Sequence, residues 1–556
     1  TTVTGSAAAC LLILVAAFQG LAVPAAAFAA LVGALVWTAA TVALGPGSVS
    51  AIGVGFAAVL VGLGVDYAIH GGVRFRQELT TAASPEAALG ATLDAAGPAI
   101  LTSSATTVAA FATLALAHFA PLRELGLVVA VGIGAILLAS LVIGGTLLVG
   151  AGNLGPREGG ALWRGLGYAV AAAVGLGRRR PGPVLIAASL CTVAAVWGMT
   201  GLRVDPDLEG MRPLDHPALE AERLLVNHFG LGLDTATAVV SGSNLSQALE
   251  RSASVEAVLR DHLGSEATVD GPGSWLAPPR RTAERLQRLA KLELAPALDR
   301  FEVELRRAGL DPGGFSPGLG ALRALDRGRD PGPVTVEAWP EWLHAMVEPG
   351  DGGVHTAVRV RLPAGAWPDG PPAQLVRSLR RDAPGTVVAS AVAVGAELRE
   401  LAERDLGTLA VVALALVAGV VLLSFRGRPA PALLAALPVL LGSLWLLGLW
   451  SLTGHPVDLF SLAVLPIMLG IGIDDGLHAL HGARREGDLA EAVLAAGRAM
   501  ALTTLTTCAG FGSLALSHIP SLRRGGLLVA AGVAACLVAT LVVLPAIESM
   551  LRGGGG

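Results

Sequence analysis

Two carboxylates lie inside long apolar stretches of this chain, where an ionisable side chain is costly. Asp66 and Asp474 each follow a run of glycine and aliphatic residues, and each is followed four positions later by a histidine, His70 or His478. Ionisable residues within membrane-spanning helices are rare and mark ion paths or proton relays. The two carboxylates therefore predict a proton or ion pathway. Because the motif occurs twice, they also predict a chain built from two related halves.

Hydroxyl side chains recur in the next apolar stretch of each half. They are Ser103, Thr106 and Thr107 in the first half and Thr503, Thr506 and Thr507 in the second. With a helical rise of 1.5 Å per residue, hydroxyls and carboxylates reach a similar depth, about 12–15 Å from the cytoplasmic ends of their spans. That is the middle of a hydrocarbon core about 30 Å thick. A carboxyl group beside hydroxyls keeps its hydrogen bonds whether it is protonated or ionised, so the pattern predicts a relay with supporting hydroxyls.

Polar neighbours extend the predicted relay. On a helix, Asp66 and His70 lie on one face, as do Asp474 and His478. Two adjacent carboxylates, such as those at positions 474 and 475, are costly unless they share protons or a cation. The predicted proton-relay residues are Asp66, Tyr67, His70, Asp474, Asp475 and His478.

A structural interpretation of the same residues stays open. An intramembrane aspartate can tie two helices together, and serine or threonine often satisfies a carbonyl of its own helix. His70 and His478 either relay protons or complete a polar patch. His118 and His518 lie at the outer ends of their spans, which favours an interfacial position.

Glycines precede both carboxylates. They are Gly62, Gly64, Gly470 and Gly472. Small residues let helix backbones approach closely in a bilayer. We expect these glycines to permit close packing of the carboxylate helices or local flexing.

The composition is that of a multi-pass membrane protein. Of 556 residues, 53% are hydrophobic and 15% are charged, and the mean hydropathy is +0.65. Apolar runs of about 20 residues, the length that crosses a bilayer, predict eleven spans. They lie near residues 5–22, 24–44, 49–73, 98–118, 124–151, 182–201, 405–425, 431–452, 456–480, 498–518 and 525–550.

Several function classes find no support in the sequence. The four cysteines fall in predicted spans and lack the spacing of disulfide frameworks or metal sites. No Gly-Lys-Ser/Thr phosphate loop occurs, so ATP is not the expected energy source. Residues 202–404 show no Ser-His-Asp or metal-hydrolase motif. We therefore expect no enzyme activity, no catalytic residue, no metal, no cofactor and no nucleic-acid partner.

Arginines orient the predicted spans. Loops that carry Arg74, Arg178, Arg426 and Arg484 alternate with loops that hold few basic residues. The positive-inside rule places the arginine-rich loops in the cytoplasm. Residues 202–404 then lie on the outer face, so we expect a multi-pass protein of the bacterial inner membrane with this segment in the periplasm.

The outer segment has the patterning of a soluble domain. Strands are predicted at residues 235–241, 355–362 and 386–391, and helices near 245–263, 280–308 and 372–382. Strand–helix–strand units of this kind predict a small α+β domain with a split βαβ layout.

A short cytoplasmic helix is predicted in each half. In the first half, Ser84 is the N-cap and Gly97 ends the helix. In the second half, Asp488 and Glu491 have the spacing of a capping box, and the helix ends at residue 497.

These motifs together resemble the resistance–nodulation–division superfamily, in particular its lipid-exporting branch of the mycobacterial-membrane-protein-large and hopanoid-transporter types. Residues 62–78 look like the fourth span of that superfamily and residues 470–486 like the tenth, while residues 205–230 are similar to the entry into its outer domain. The resemblance implies that the two acidic sites relay protons and that the outer domain binds and passes substrate. The intramembrane lysine of the drug-efflux branch has no counterpart, because Lys291 is the only lysine and lies in the soluble segment.

The resemblance also implies a domain order. Twelve spans and two outer domains are usual in that superfamily, so we expect this chain to begin in span two, without span one and the first outer domain. The expected domains are a first transmembrane block at 1–151 (spans two to six), a cytoplasmic linker at 152–181, span seven at 182–201, a periplasmic porter-like domain at 202–404 and a second transmembrane block at 405–552. The predicted fold class is membrane α-helical: a pseudo-two-fold repeated bundle of about eleven transmembrane helices with one α+β, ferredoxin-like periplasmic domain.

The leading functional prediction is an exporter of lipids or other hydrophobic molecules that is driven by the proton-motive force. Two alternatives stay open: a lipid sensor or membrane scaffold of the sterol-sensing type without transport, and a translocation motor of the SecD/SecF type. Expected partners are membrane lipids, a hydrophobic or lipidic substrate and protons. A homo-oligomer or a periplasmic lipid-carrier partner is compatible with the sequence, which does not identify the lipid.

Overall fold

The chain folds into two compact units. One comprises Thr1–Asp215 with Leu398–Gly556, and the other comprises His216–Glu397. The computed structural model describes residues 2–18, 20–45, 57–151, 160–202, 204–205, 216–229, 235–264, 267–276, 279–289, 291–292, 294–326, 341–350, 353–362, 367, 370–454, 457–458 and 464–553. Part of the predicted entry into the outer domain, residues 206–215 and 230, lies outside the described residues.

The first half of the large unit is a run of apolar helices. It contains α1 (Thr2–Phe18), α2 (Ala22–Leu44), α3 (Ala57–Gly64), α4 (Asp66–Glu78), α5 (Pro85–Thr113), α6 (Ala120–Ala139), α7 (Gly145–Gly150), α8 (Ala161–Arg179) and α9 (Pro181–Met199). A two-residue strand, β1 (Val204–Asp205), follows them.

The second unit is built on an antiparallel sheet. Its strands are β2 (Thr235–Gly242), β3 (Thr268–Asp270), β4 (Val347–Gly350), β5 (Gly353–Arg361) and β6 (Val387–Ser390), in the order β3-β5-β2-β6 with β4 also on β5. Its helices are α10 (Pro217–Phe229), α11 (Leu245–Leu263), α12 (Pro272–Trp275), α13 (Pro279–Leu289), α14 (Ala295–Arg307), α15 (Ser316–Asp326), α16 (Glu341–His344) and α17 (Ala373–Asp382). Helix α11 follows β2, and α17 follows β5.

The core of this unit explains why the sequence predicted it well. Val240 and Val358 on the two central strands and Leu259 and Leu379 on the two helices are fully buried. Strands β2, β5 and β6 and the predicted helices near 245–263 and 372–382 coincide with observed elements, whereas the helix predicted near 280–308 is divided into α13 and α14. Strands β3 and β4 were not predicted, because they contain only three and four residues. Such short segments do not show a clear alternation of apolar and polar residues.

The second half of the large unit repeats the first. It contains α18 (Ala391–Ser424), α19 (Pro429–Leu452), β7 (Val457–Asp458), α20 (Val464–Gly472), α21 (Asp474–Glu486), α22 (Leu489–Gly512), α23 (Pro520–Val538) and α24 (Leu544–Gly553). Strand β7 pairs in parallel with β1.

Eight helical segments among the described residues are long and apolar enough to cross a membrane. They are Ala22–Leu44, Pro85–Leu116, Ala120–Gly150, Pro181–Met199, Gly407–Ser424, Pro429–Leu452, Leu489–Leu516 and Pro520–Arg552. The other three predicted spans fall on α1, whose apolar helix is shorter, and on the α3–α4 and α20–α21 pairs, which are interrupted.

The two carboxylate helices are interrupted at equivalent positions. One residue, Val65 or Ile473, separates the two pieces and keeps right-handed helical dihedrals. The carbonyl groups of these residues still accept backbone N–H groups one turn on, at 2.9 and 3.0 Å. Each interruption follows a glycine and places the carboxylate, Asp66 or Asp474, as the first residue of the second piece.

Each carboxylate helix packs against the hydroxyl-bearing helix of the other half. Helix α3 packs on α22, and α20 packs on α5. A Cβ added at Gly510 would lie 2.7 Å from the Cα of Gly62, and one added at Gly470 would lie 2.9 Å from the Cβ of Ala110. Ala110 is the counterpart of Gly510, so both halves use small residues at the same crossing. This exchange of partners is what the pseudo-two-fold arrangement requires.

The duplication also includes an irregular turn. A π-helical turn, Ser140–Gly144, separates α6 from α7, and another, Ala539–Val543, separates α23 from α24. Such turns are rare and often occur at functional sites. Two irregularities at matching places show that the repeat extends to fine geometry.

The predicted helix starts are confirmed, but the predicted ends are wrong. The Ser84 side chain accepts the N–H of Ala87 at 3.2 Å, and Asp488 accepts that of Glu491 at 3.0 Å, which holds the pKa of the Asp488 carboxyl below its ordinary value. Both helices then continue far beyond Gly97 and Gly497 as α5 and α22. A glycine inside a long apolar helix need not stop it, because the bilayer enforces helical hydrogen bonding.

Substitution of Gly510 by alanine is expected to destabilise the protein. The new methyl group meets the backbone of Gly62 at 2.7 Å, and overpacking of a close interface costs about 1–3 kcal/mol. Thermal unfolding in detergent micelles, followed by tryptophan fluorescence, measures the change. Gly512→Ala is the matched control on the same helix, because nothing lies within 4 Å of its added Cβ. Equal melting temperatures for the two variants would contradict the close crossing.

Candidate functional site

The Asp66 carboxyl is held by hydroxyls of the other half. Thr507 Oγ1 donates to Asp66 Oδ2 at 3.3 Å, and Thr506 Oγ1 lies 3.5 Å from Oδ1. The Thr506 hydroxyl also reaches the carbonyls of Leu502 and Thr503 on its own helix, at 3.2 and 2.9 Å. With its proton directed at a carbonyl, Thr506 can accept a hydrogen bond from a protonated Asp66. The two threonines thus accommodate both protonation states of this carboxyl.

The Asp474 carboxyl lies next to the hydroxyl helix of the first half. Ser103 and Asp474 line one small cavity. The Oδ1 atom of Asp474 is buried and has no hydrogen-bond partner among the described residues. A buried polar oxygen without a partner is rare, and an ionised one is especially costly. Asp474 is therefore poised to gain a partner, either a proton of its own or a donor brought by a change in packing.

The two acidic sites differ in the residue that follows the carboxylate. Tyr67 is buried beside Ser103 and Ser104, which are within hydrogen-bonding reach of its hydroxyl. The corresponding position in the second half is Asp475, which is also buried. The first site thus has an Asp–Tyr sequence and the second an Asp–Asp sequence.

The remaining predicted hydroxyls serve mainly the helix backbone. Thr107 donates to the carbonyls of Ser103 and Gly470, both at 2.9 Å, and so joins α5 to the carboxylate helix of the second half. Thr106 bonds the carbonyl of Ser103 at 2.8 Å. Thr503 bonds that of Met500 at 2.8 Å. Of the six predicted supporting hydroxyls, the structure brings Ser103, Thr506 and Thr507 to the carboxylates.

The two histidines stack on each other across the halves. The rings of His70 and His478 lie parallel within 5°, with centroids 3.8 Å apart. The sequence related each histidine only to the aspartate on its own helix. Their mutual contact follows from the pseudo-two-fold arrangement, so the repeat itself was the signal that could have found it.

A small polar cavity connects these groups. Its volume is about 20 Å³, enough for a single water molecule, which needs at least about 10–15 Å³. It is lined by Asp66, Tyr67, His70, Ser103, Ile471, Asp474, Asp475, His478, Thr503, Thr504, Thr507 and Val533. All six predicted relay residues therefore border one space at the interface of the two halves.

A second cavity continues from the histidines toward the arginine-rich ends of α4 and α21. Its volume is about 90 Å³, and His70 and His478 line both this cavity and the first. Arg74 and Arg485 border its far end. The stacked imidazoles thus lie between the carboxylates and the arginine-rich ends of α4 and α21.

His481 belongs to the site and escaped the sequence prediction. It lines the second cavity, its Nε2 lies 2.9 Å from Ser424 Oγ, and its ring stacks on Phe425 at 5.0 Å. Its counterpart in the first half is Val73, so the repeat gave no reason to single it out. Only its position on the same helix face as His478 hinted at a role.

A second polar contact that the sequence missed lies at the outer end of α5. The Asp405 carboxylate accepts the backbone N–H of His118 at 2.8 Å and lies 2.7 Å from His118 Nδ1. Asp405 is buried, whereas the His118 side chain is mostly exposed. The predicted interfacial histidine thus pairs with α18.

The four predicted glycines lie at tight contacts. Gly62 and Gly470 lie at the crossings of the two halves described above. A Cβ at Gly64 would lie 2.6 Å from Leu31 Cδ1, and one at Gly472 would lie 2.7 Å from Cys536 Sγ. These close contacts hold both carboxylate helices against their own halves as well.

Substitution of Thr507 by valine is expected to destabilise the protein by about 1 kcal/mol, because it removes the hydroxyl that donates to Asp66. The same variant should change the rate at which a hydrophobic carbodiimide modifies Asp66, measured by mass spectrometry of the peptide. Thr540→Val is the control, because its buried hydroxyl bonds only the carbonyl of Cys536 on its own helix. Unchanged modification in Thr507→Val would show that this hydroxyl does not hold the carboxyl.

Comparison with known proteins gives three partial relatives. A putative membrane protein of Methanocaldococcus jannaschii is 32% identical over 136 residues, covering 23% of this chain and 35% of that protein. The hopanoid transporter HpnN of Rhodopseudomonas palustris is 24% identical over 557 residues, covering 91% of this chain and 62% of that protein. Protein patched homolog 2 of Homo sapiens is 36% identical over 126 residues, covering 21% of this chain and 10% of that protein.

Solved structures show the same fold. SecDF of Thermus thermophilus, a translocon-associated membrane protein, matches 99% of this chain with a TM-score of 0.55 at 15% identity. SecDF in its super-membrane-facing form matches with a TM-score of 0.51, also at 15% identity. This chain spans 62% and 61% of those chains, respectively.

The family profile that matches is that of the MMPL family, over residues 1–184 and 373–553. These ranges cover more than half of the chain and include both carboxylate helices and both hydroxyl helices. The chain therefore belongs to the MMPL family and is a multi-pass membrane protein.

Proposed function

We propose that this protein uses the proton-motive force to export lipids or other hydrophobic molecules from the bacterial inner membrane. The single observation that carries the proposal is the crossed site, where Asp66 is bound by threonines of the second half and Asp474 lies beside Ser103 of the first half. A proton on either carboxyl therefore changes the hydrogen bonds between the halves. The likeness to the hopanoid transporter supports a lipidic substrate.

The chemistry of the site suggests how a proton would act. An ionised Asp66 accepts the Thr507 hydroxyl, whereas a protonated Asp66 can donate to Thr506. Asp474 has a buried oxygen that lacks a donor among the residues that the structure describes, so protonation or a shift of α5 would satisfy it. Because α3 and α20 cross to the other half, such a change biases the position of one half against the other. We infer that this rocking is coupled to the outer domain.

The proposal includes the domain order expected from the sequence. Residues 1–151 and 405–552 would form the two transmembrane blocks, with 152–181 as linker, 182–201 as a span, and eleven spans in total. Residues 202–404 would form a periplasmic porter-like domain. The strand order β3-β5-β2-β6, with helices α11 and α17, fits a ferredoxin-like layout for that domain.

Two alternative functions each have a supporting observation. The partial likeness to a patched homolog favours a lipid sensor, and the shared fold with SecDF favours a translocation motor. In a sensor, the carboxylates would be structural and neutral substitutions tolerated. In a motor, protons would move while no lipid would be exported.

The deciding experiment measures lipid export and proton movement together in proteoliposomes. Under an imposed pH gradient, Asp66→Asn and Asp474→Asn should each lower export of a fluorescent hopanoid or phospholipid at least tenfold, because an amide cannot take up and release the proton. A pH-sensitive dye in the lumen reports the proton flux, which should fall in parallel. Thermal unfolding checks that both variants are folded.

Glu86→Gln is the matched control, because it neutralises an exposed carboxylate at the cytoplasmic start of α5. It should export lipid at the rate of the unmodified protein. Unchanged export in both aspartate variants would support the sensor. Proton flux that depends on the aspartates, without lipid export in the unmodified protein, would support the motor.

A further inference from the structure

Helix α8 covers the cytoplasmic half of α22. Val170 packs on Gly497, with its Cγ1 2.5 Å from where a Cβ on that glycine would lie. Farther along, Gly177 packs against the chain near Pro545, and Arg178 pairs with Glu491 at 2.8 Å. One flank of α22 is thus closed by a helix that is apolar toward the bundle.

The start of α8 also packs near α22. Trp163 lies against Phe18 with ring centroids 6.0 Å apart, and the Arg498 guanidinium lies 5.8 Å from the Trp163 ring. Gly167 lies close to the same arginine. Helix α8 therefore packs along the cytoplasmic half of the hydroxyl helix in the second half.

The equivalent helix of the first half, α5, is bordered by cavities instead. On one flank lies an apolar groove of about 480 Å³ between α2, α4, α5 and the π-helical turn before α7. Gly97, the counterpart of Gly497, lines this groove and has no described atom within 4 Å of an added Cβ. Its other small residues include Gly71, Gly72, Gly144 and Gly145.

The groove contains a hydroxyl without a partner. Ser140 Oγ is buried and makes no hydrogen bond within the described part of the chain. Its counterpart Thr540 donates to the carbonyl of Cys536 at 3.0 Å. Ser140 opens the π-helical turn and is one of the residues that line the groove.

On the other flank of α5 lies a basic basin, a cavity of about 480 Å³. It is lined by Asp94, Ala95, Pro98, Ser424, Arg426, Arg428, His481, Arg484 and Arg485. Arg484 stacks on Phe425 at 4.3 Å and lies near enough to Arg426 and Arg428 for their charges to repel. Within the described residues, none of these four arginines forms an ion pair with a carboxylate, so the basin has excess positive charge.

The groove and the basin are neighbouring cavities with two lining residues in common, and together they are called the cleft. Asp94 and Pro98 of α5 border both cavities, so the cleft passes from the apolar flank across the helix to the arginines. Both cavities lie along the cytoplasmic half of α5, at the depth of the inner leaflet headgroups and upper acyl chains. Such a cleft has the shape and polarity of an amphiphile with an anionic head.

We propose that this cleft binds an anionic phospholipid of the cytoplasmic leaflet. Its phosphate would contact Arg426 and Arg428, and its acyl chain would occupy the groove beside Gly97. Guanidinium groups bind phosphate oxygens bidentately, and basic pockets between spans on the cytoplasmic side bind anionic headgroups. The lipid would take on α5 the place that α8 takes on α22.

A second helix is a poorer occupant than a lipid. Helix α8 itself carries Arg164, Arg178 and Arg179, and a helix of that kind would meet the four arginines of the basin with like charge. A phosphate neutralises the basin, while an apolar chain needs no partner in the groove beyond van der Waals contact. The charge of the site therefore selects the lipid.

Native mass spectrometry tests the headgroup contact. Titration of the detergent-solubilised protein with dioleoylphosphatidylglycerol should show tighter binding than with dioleoylphosphatidylcholine. The double variant Arg426→Gln, Arg428→Gln should weaken phosphatidylglycerol binding about fivefold per arginine, or about 30-fold in total. The control Arg179→Gln, Arg180→Gln removes the same charge from exposed cytoplasmic residues and should bind like the unmodified protein. Equal loss in both double variants would overturn the proposal.

A second pair of variants tests the groove. Gly97→Leu should fill it and weaken phosphatidylglycerol binding at least fivefold, whereas Gly90→Leu, on the same helix outside the cleft, should not. Competition by millimolar inorganic phosphate as effective as that by the lipid would show a free-phosphate site and refute the lipid. A photoreactive residue at Leu101, which is exposed in the groove, should form lipid adducts, and peptide adducts in their place would identify a protein segment as the occupant and refute the proposal.

Discussion

The structure depends on how two carboxyl groups are satisfied in the middle of a bilayer. Neither is surrounded by its own half alone: Asp66 lies under Thr506 and Thr507 of the second half, and Asp474 beside Ser103 of the first. This exchange requires α3 and α20 to cross to the opposite hydroxyl helix, and the crossing requires Gly62 and Gly510 to meet backbone to backbone. The small residues, the interrupted helices and the stacked histidines all follow from that constraint. Polar groups buried in lipid need internal partners, and here the two halves supply them for each other.

The sequence predicted the elements better than their contacts. Hydrophobic runs located the spans, and alternation located the longer strands, because both signals extend over many residues. Ser84 and Asp488 marked the helix starts, since a cap is a local chemical event. The helix ends predicted at Gly97 and Gly497 were wrong, because the effect of a glycine on a helix depends on what surrounds the helix. Local features such as helix starts could therefore be predicted from the sequence more reliably than the ends of long helices.

In the candidate site, too, the residues could be predicted from the sequence but their contacts could not. The predicted relay residues were chosen from their chemistry and their repetition, and they border one cavity. The stacking of His70 on His478 could not be derived from either helix alone, because it joins residues that are close only after the halves assemble. His481 and Asp405 lacked any repeated counterpart, so nothing in the pattern distinguished them from ordinary polar residues. Contacts between distant segments were thus the part that required the structure.

The differences between the halves matter as much as their similarity. A perfectly symmetric bundle would give both carboxyls the same surroundings, and a proton would have no preferred order of sites. Here the position of Tyr67 in the first half corresponds to Asp475 in the second half, and that of Val73 corresponds to His481. In addition, α8 covers α22, while α5 is bordered by an open cleft. Each of these differences makes one half more polar, or more closely packed, than the other half. In the proposed proton-driven cycle, such asymmetry would give the two related sites different affinities for a proton, which a directional cycle requires.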